Sequence, residues 1–90
     1  MNSSSNWLVL YHKDVEKEIR RLPKRVIQRV FIVLEALSEE PRPANSKKLR
    51  DHDLWRLRIG DYRIVYAIDD DLRIVTIYRI RHRRDVYRNL

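Results

Sequence analysis

Two hydrophobic periods divide this 90-residue chain. Trp7-Leu8-Val9-Leu10-Tyr11 is a short apolar run rich in strand formers, and it predicts a first strand over residues 7–11. From Lys13 the period lengthens. Val15, Ile19 and Leu22 follow at spacings of four and three, one apolar stripe on an otherwise charged helix. Pro23 closes that helix and, as a first-turn proline, opens a second over about residues 23–37. Val26, Ile27, Val30, Phe31, Val33, Leu34 and Leu37 give this second helix a face broad enough to lie across a sheet, and the two helices are expected to form an antiparallel hairpin. Residues 39–53 read as a polar connection in which Leu49 is the obvious anchor.

Beyond residue 53 the period shortens to two. Gly60-Asp61 separates two alternating runs, the signature of a tight two-residue hairpin turn in which glycine supplies the positive φ. Pairing Ile59 with Tyr62 sets Leu57 opposite Ile64 and Trp55 opposite Tyr66, so these six side chains share one face. The other face then carries Arg56, Arg58 and Arg63, with Arg58 directly across from Arg63. Like charges at opposed positions repel, so the face is either salt-screened and solvated or a seat for an anion. Asp69-Asp70-Asp71 reads as a turn, and residues 72–80 as a further strand. A three-residue loop puts Leu72, Ile74, Thr76 and Tyr78 on the core face and Arg73, Val75, Ile77, Arg79 and Arg81 on the arginine face; a two-residue loop exchanges them. The former is preferred because it keeps Arg73 and Arg79 out of the core.

The expected architecture is therefore α+β in two layers, β-α-α-β-β-β, with the helical hairpin on a small, mostly antiparallel sheet and a short C-terminal turn or helix. Residues 1–6 read as a flexible leader and residues 7–90 as a single domain. A domain of this size hides only about 60–65% of the surface its unfolded chain exposes, so the core is small.

Composition adds a partner class. Twenty Lys+Arg against thirteen Asp+Glu give a net charge of +7, which favours polyanions such as nucleic acid, a ribosome or an acidic protein. All five lysines lie at or before Lys48, and every Lys or Arg from Arg50 onward is arginine, the side chain whose planar fork matches two phosphate oxygens. No stretch approaches the roughly 18–20 apolar residues of a membrane helix, and the first residues lack a signal-peptide pattern, so a cytoplasmic location is expected.

Several chemistries are disfavoured. A single glycine leaves no Gly-rich phosphate loop, and the absence of cysteine removes disulfides and Cys-ligated zinc. His12, His52 and His82 are scattered without metal-ligand spacing, so neither a metal nor another cofactor is expected; His12 and His52 read as surface residues. What remains is a cationic sheet face beside a terminal segment containing His82, Arg83 and Tyr87. RNA cleavage without a metal needs a base for the 2′-hydroxyl, positive donors for the phosphate and an acid for the leaving oxygen. Arginine supplies the second but cannot deprotonate to serve as the first.

KEIRRLP, a second helix, then KLR, WRLRIGDYRIVY and HRRDVY occur in an order that resembles the RelE/ParE toxin superfamily, and the resemblance covers nearly the whole chain. Its RelE-like branch implies a toxin of a type II toxin–antitoxin module that enters the ribosomal A site and cuts translated messenger RNA by in-line attack of a 2′-hydroxyl. By position, Arg56, Arg58, Arg63, Arg83 and Tyr87 resemble that branch's site, and His82 stands where some relatives hold a histidine. The best-known members have lysine where this chain has Arg56 and Arg58, which throws proton transfer onto His82 or Tyr87, with imidazole the easier base near neutral pH. Lys47, Lys48, Arg50, Arg73, Arg79, Arg81 and Arg84 are expected to add RNA contacts. The resemblance also implies an antitoxin that is acidic in its binding segment, with operator DNA reached only through it. Two alternatives stay open: a ParE-like DNA gyrase inhibitor on the same scaffold, and a nucleic-acid-binding module without chemistry.

Overall fold

The computed structural model describes residues 6–90. Seven elements follow in order: β1 (Leu8–Tyr11), α1 (Val15–Arg20), α2 (Lys24–Glu39), β2 (Ser46–Lys48), β3 (Trp55–Ile59), β4 (Tyr62–Asp69) and β5 (Ile74–His82). The strands form one sheet in the order β1-β5-β4-β3-β2, antiparallel except where β1 runs parallel to β5. Both helices pack on one face, giving the expected two-layer α+β fold. The leader expected over 1–6 lies outside the described residues except for Asn6, whose carbonyl accepts a hydrogen bond from Arg73 Nε at 3.1 Å.

The helices form where the sequence allows and stop where proline intervenes. α1 closes with the Arg21 and Leu22 amides bonded three residues back, to the carbonyls of Glu18 and Ile19, before Pro23 ends the run. α2 buries Val26, Val30, Leu34 and Leu37 at spacings of four, four and three, while Phe31 faces outward with Ile32, so its buried face is narrower than the full apolar set. Glu40, extended before Pro41, terminates it. These helical residues, with Val15 and Leu22, meet Leu57, Ile59, Ile64, Tyr66, Val75, Ile77 and Ile80 of the sheet in one apolar core.

The β3–β4 hairpin has the expected register, from Ile59 opposite Tyr62 to Trp55 opposite Tyr66, with Gly60 at φ 58° in its turn. Two expectations need correction. The 39–53 connection contains a strand, β2, which pairs with β3 so that Lys47 lies beside Arg56 and Lys48 beside Trp55. Its three polar residues carry no alternation to reveal it, and a charged edge strand of this kind resists pairing with another chain.

The second correction concerns the last strand. Asp69 pairs with Ile74, leaving a four-residue connection in which the Leu72 amide donates to Asp69 Oδ1 at 2.9 Å and Arg73 adopts φ 57°. An even loop reverses the faces expected from a three-residue one. Val75 and Ile77 are therefore fully buried and Leu72 is 68% exposed. The register then shifts: Tyr66 pairs with Ile77 but Val65 with Arg79, so Tyr78 is the extra residue of a bulge. Beyond it Ile80 enters the core opposite Ile64, while Arg79 and Arg81 lie opposite Val65 and Arg63, on the arginine face where they were expected.

Candidate active site

The sheet face away from the helices carries two cross-strand rows. Lys47, Arg56, Val65 and Arg79 form one; Arg58, Arg63 and Arg81 form the other. Arg63 is the centre. It is only 8% exposed, and its Nη1 donates to the carbonyls of Gly60 and Tyr62, each at 2.9 Å, which holds the guanidinium against its own turn. Among the described residues it pairs with no carboxylate. Burial pushes its pKa below the ordinary arginine value, and the neighbouring charges of Arg58, Arg56 and Arg83 push the same way against an opposing effect of Tyr87. A desolvated cation among three others is a cluster whose cheapest relief is an anion.

The C-terminal segment completes this face. After β5 the chain turns back, with the amides of Asp85 and Val86 donating to the His82 carbonyl. Arg79 clamps the turn: Nη1 donates to the carbonyls of Val86 at 2.9 Å and Arg88 at 2.6 Å, and Nη2 to that of Asn89 at 3.0 Å. Val65 and Val86 are both fully buried yet lie outside the main core cluster; Val65 stands opposite Arg79, which bonds the Val86 carbonyl. Tyr87 thereby stands with Arg56 in the wall of an open cavity of about 410 Å³ that Leu49, Arg50, Asp51 and His52 also line. Arg83 sits at the hairpin turn, its amide donating to the Asp61 carbonyl at 2.7 Å and its guanidinium 3.9 Å from the Asp61 carboxylate.

The fold thus brings Arg56, Arg58, Arg63, Arg83 and Tyr87 together. It does not bring His82 with them. His82 pairs with Tyr62, on the helix-facing side, and the two rings meet edge to face at 5.4 Å. Its Nδ1 accepts from the amide and Nε of Arg84, both at 3.3 Å, which also engages Arg84. Arg81 turns to the sheet edge and bonds Glu18 at 2.5 Å, while the other Glu18 oxygen accepts the Ile80 amide at 2.9 Å. Arg73 is at the far end of the sheet, its guanidinium 4.6 Å above the Trp7 ring. Lys48 lies on the opposite face and pairs with Asp53 at 3.5 Å. Lys47 and Arg50 remain beside Arg56, one across the strands and one across the cavity.

The role of Glu18 is not legible from the sequence. Glu18 looks like any helix-surface acid until α1 is placed on the free edge of β5. His52, expected at the surface, is exposed there, and it lines the cavity that Arg56 and Tyr87 also border.

Comparison with known proteins places this arrangement in a family. The model described as the ParE toxin of type II toxin–antitoxin system, parDE, matches residues 7–87. A toxin of Methanocaldococcus jannaschii named RelE1 is 33% identical over 82 residues, 87% of this chain and 91% of its own length. A chain in the crystal structure of the archaeal RelE–RelB complex from Pyrococcus horikoshii OT3 superposes with a TM-score of 0.79 at 30% identity, covering 89% of this chain and 98% of that one. A chain of the toxin–antitoxin complex RelBE2 from Mycobacterium tuberculosis does so with a TM-score of 0.75 at 30% identity, over 84% and 96%. Matching over nearly all of its length, the chain belongs to the RelE/ParE superfamily and is a RelE-like toxin of a type II toxin–antitoxin system.

Proposed function

We propose that this toxin is a metal-independent, ribosome-dependent endoribonuclease that cuts translated messenger RNA in the A site. The observation that carries the proposal is Arg63, nearly buried, without a carboxylate partner among the described residues, and flanked by Arg58, Arg56 and Arg83. A phosphodiester seated there would meet guanidinium donors on rigid strands, ready for the charge that builds as a 2′-oxygen attacks in line. Tyr87, across the cavity from Arg56, would stack on a base or protonate the leaving 5′-oxygen. Lys47 and Arg50 extend the positive track for the RNA backbone.

The solved relatives described as RelE–RelB and RelBE2 complexes support a cognate antitoxin as partner. With +7 to neutralise, its binding segment is acidic and covers the arginine face; operator DNA is reached through the antitoxin. The site of action is the cytoplasm, where ribosomes and antitoxin meet the toxin.

The matching model's ParE description favours a second reading, inhibition of DNA gyrase without nuclease chemistry. Brief expression followed by mapping of transcript 5′ ends separates the two. Codon-phased cuts on translated messages, lost in Arg63→Ala and lowered about 10²–10³-fold in Arg83→Ala, are expected. Intact messages with accumulating gyrase–DNA breaks would instead establish the ParE-like activity.

A further inference from the structure

The endoribonuclease reading needs a proton acceptor, and the residue first suited to that task is on the wrong side of the sheet. His82 faces the helix layer beside Tyr62, and its Nδ1 is occupied by Arg84. The cations of the phosphate seat cannot accept a proton, because a guanidinium stays charged in a protein. Arginine therefore leaves the reaction without a base unless another group borders the same space.

The cavity against Arg56 contains such a group. Its wall combines Arg50, Asp51 and His52 from the connection before β3, Arg56 from β3 and Tyr87 from the C-terminal turn. We infer that His52 is the general base, taking the 2′-hydroxyl proton of RNA whose scissile phosphate sits on Arg56, Arg58 and Arg63. This inference rests on the endoribonuclease reading and supplies the proton acceptor that reading lacks.

The balance of the step is simple. An imidazole nitrogen of His52 takes the proton; the 2′-oxygen forms a bond to phosphorus; the bond from phosphorus to the 5′-oxygen breaks. The products are a 2′,3′-cyclic phosphate and a 5′-hydroxyl, whose proton comes from Tyr87 or water. Two other groups in the wall could compete for the role. Asp51 offers a carboxylate, a side chain that is by nature a much weaker proton acceptor than imidazole. Tyr87 must give up a proton before it can take one. Imidazole is the side chain that exchanges a proton between about pH 5 and 8, and the exposed position of His52 leaves it free to approach a bound nucleotide.

The position also explains how a chain with arginine at both strand positions keeps its chemistry. Phosphate binding and proton transfer are divided between the rigid strand and the connection that precedes it.

The test is single-turnover cleavage of a messenger positioned in the A site of purified ribosomes, from pH 5.5 to 8.5, with the full chain as wild type, His52→Ala, Asp51→Asn and Arg63→Ala. The expected result is a loss of about 10²–10⁴-fold for His52→Ala, disappearance of the acid limb of the wild-type profile, partial rescue by added imidazole, and unchanged ribosome binding. Asp51→Asn keeps the limb and stays within a few-fold of wild type. If His52→Ala keeps both rate and limb while Arg63→Ala is inactive, the assignment of His52 fails and the phosphate seat stands. An acid limb moved by Asp51→Asn also overturns it. If wild type cuts nothing on the ribosome, the endoribonuclease reading fails, and His52 with it.

Discussion

Arg63 joins two demands that usually separate. Its Nη1 anchors the hairpin turn through the Gly60 and Tyr62 carbonyls, yet burial and three neighbouring arginines make its charge expensive in the free protein. Opposed like charges on a sheet destabilise it by roughly 0.2–1 kcal/mol. Arg58→Thr, at an exposed position directly across from Arg63, is therefore expected to raise stability by about that amount in urea denaturation while lowering cleavage about 10²-fold. The gain should shrink at high salt, where the repulsion is screened. A less stable Arg58→Thr protein would show that the pair is not in conflict. An anion seated between Arg58 and Arg63, as the proposed function requires, would relieve that repulsion.

At the scale of elements, the informative feature is the edge of β5. β1 covers that strand only from Ile74 to Ile77, leaving the later backbone donors without a strand partner on that side. Glu18 on α1 takes over, receiving the Ile80 amide with one oxygen and Arg81 with the other. Glu18→Ala removes both bonds beside the core residue Ile80, and is expected to cost about 1.5–3 kcal/mol of unfolding free energy, with Glu18→Gln milder because it keeps an acceptor for the amide. Equal stability of the two variants would mean that the cap contributes nothing. The bulge at Tyr78 acts on the same strand. Val75, Ile77, Arg79 and Arg81 share one parity, so an unbroken strand would either bury two arginines or expose two core residues; one extra residue resolves the conflict. The sequence reading placed Arg79 and Arg81 on the correct face but chose the wrong face for residues 72–78. A three-residue loop looked natural from Asp69-Asp70-Asp71, and nothing local announces that Asp69 will accept the Leu72 amide across a four-residue connection.

For the whole molecule, charge and stability meet at the end of the sheet remote from the hairpin turn. Arg42 forks onto Asp70, at 3.0 and 2.8 Å, and its guanidinium lies 5.1 Å from the centre of the Trp55 ring, joining the segment after α2 to the β4–β5 connection. The hydrogen bonds from Arg42 hold the Asp70 carboxyl below its ordinary pKa. A depressed folded-state value means a stabilising contribution that is present above the unfolded pKa and disappears as pH falls through the folded one. Asp70→Asn should therefore be less stable than wild type at neutral pH, with the difference closing below about pH 4. Because the pair is exposed, the effect is modest; a difference that persisted at low pH would assign it to something other than the carboxylate.

The residues alone determined the two-layer α+β class, the helix boundary at Pro23, and the β3–β4 register, because periodicity, proline and the Gly60 turn are local signals. They also determined that one sheet face would be crowded with arginine. Only the tertiary structure decided which basic residues remain available to an anion. Arg79 is drawn into the C-terminal turn, Arg81 to Glu18 and Arg73 to Trp7, each through a partner distant in sequence. It likewise put His82 behind the sheet and His52 beside Arg56 and Tyr87, since a side chain's face follows from strand pairing and bulges, and its company from how the connections fold over that face.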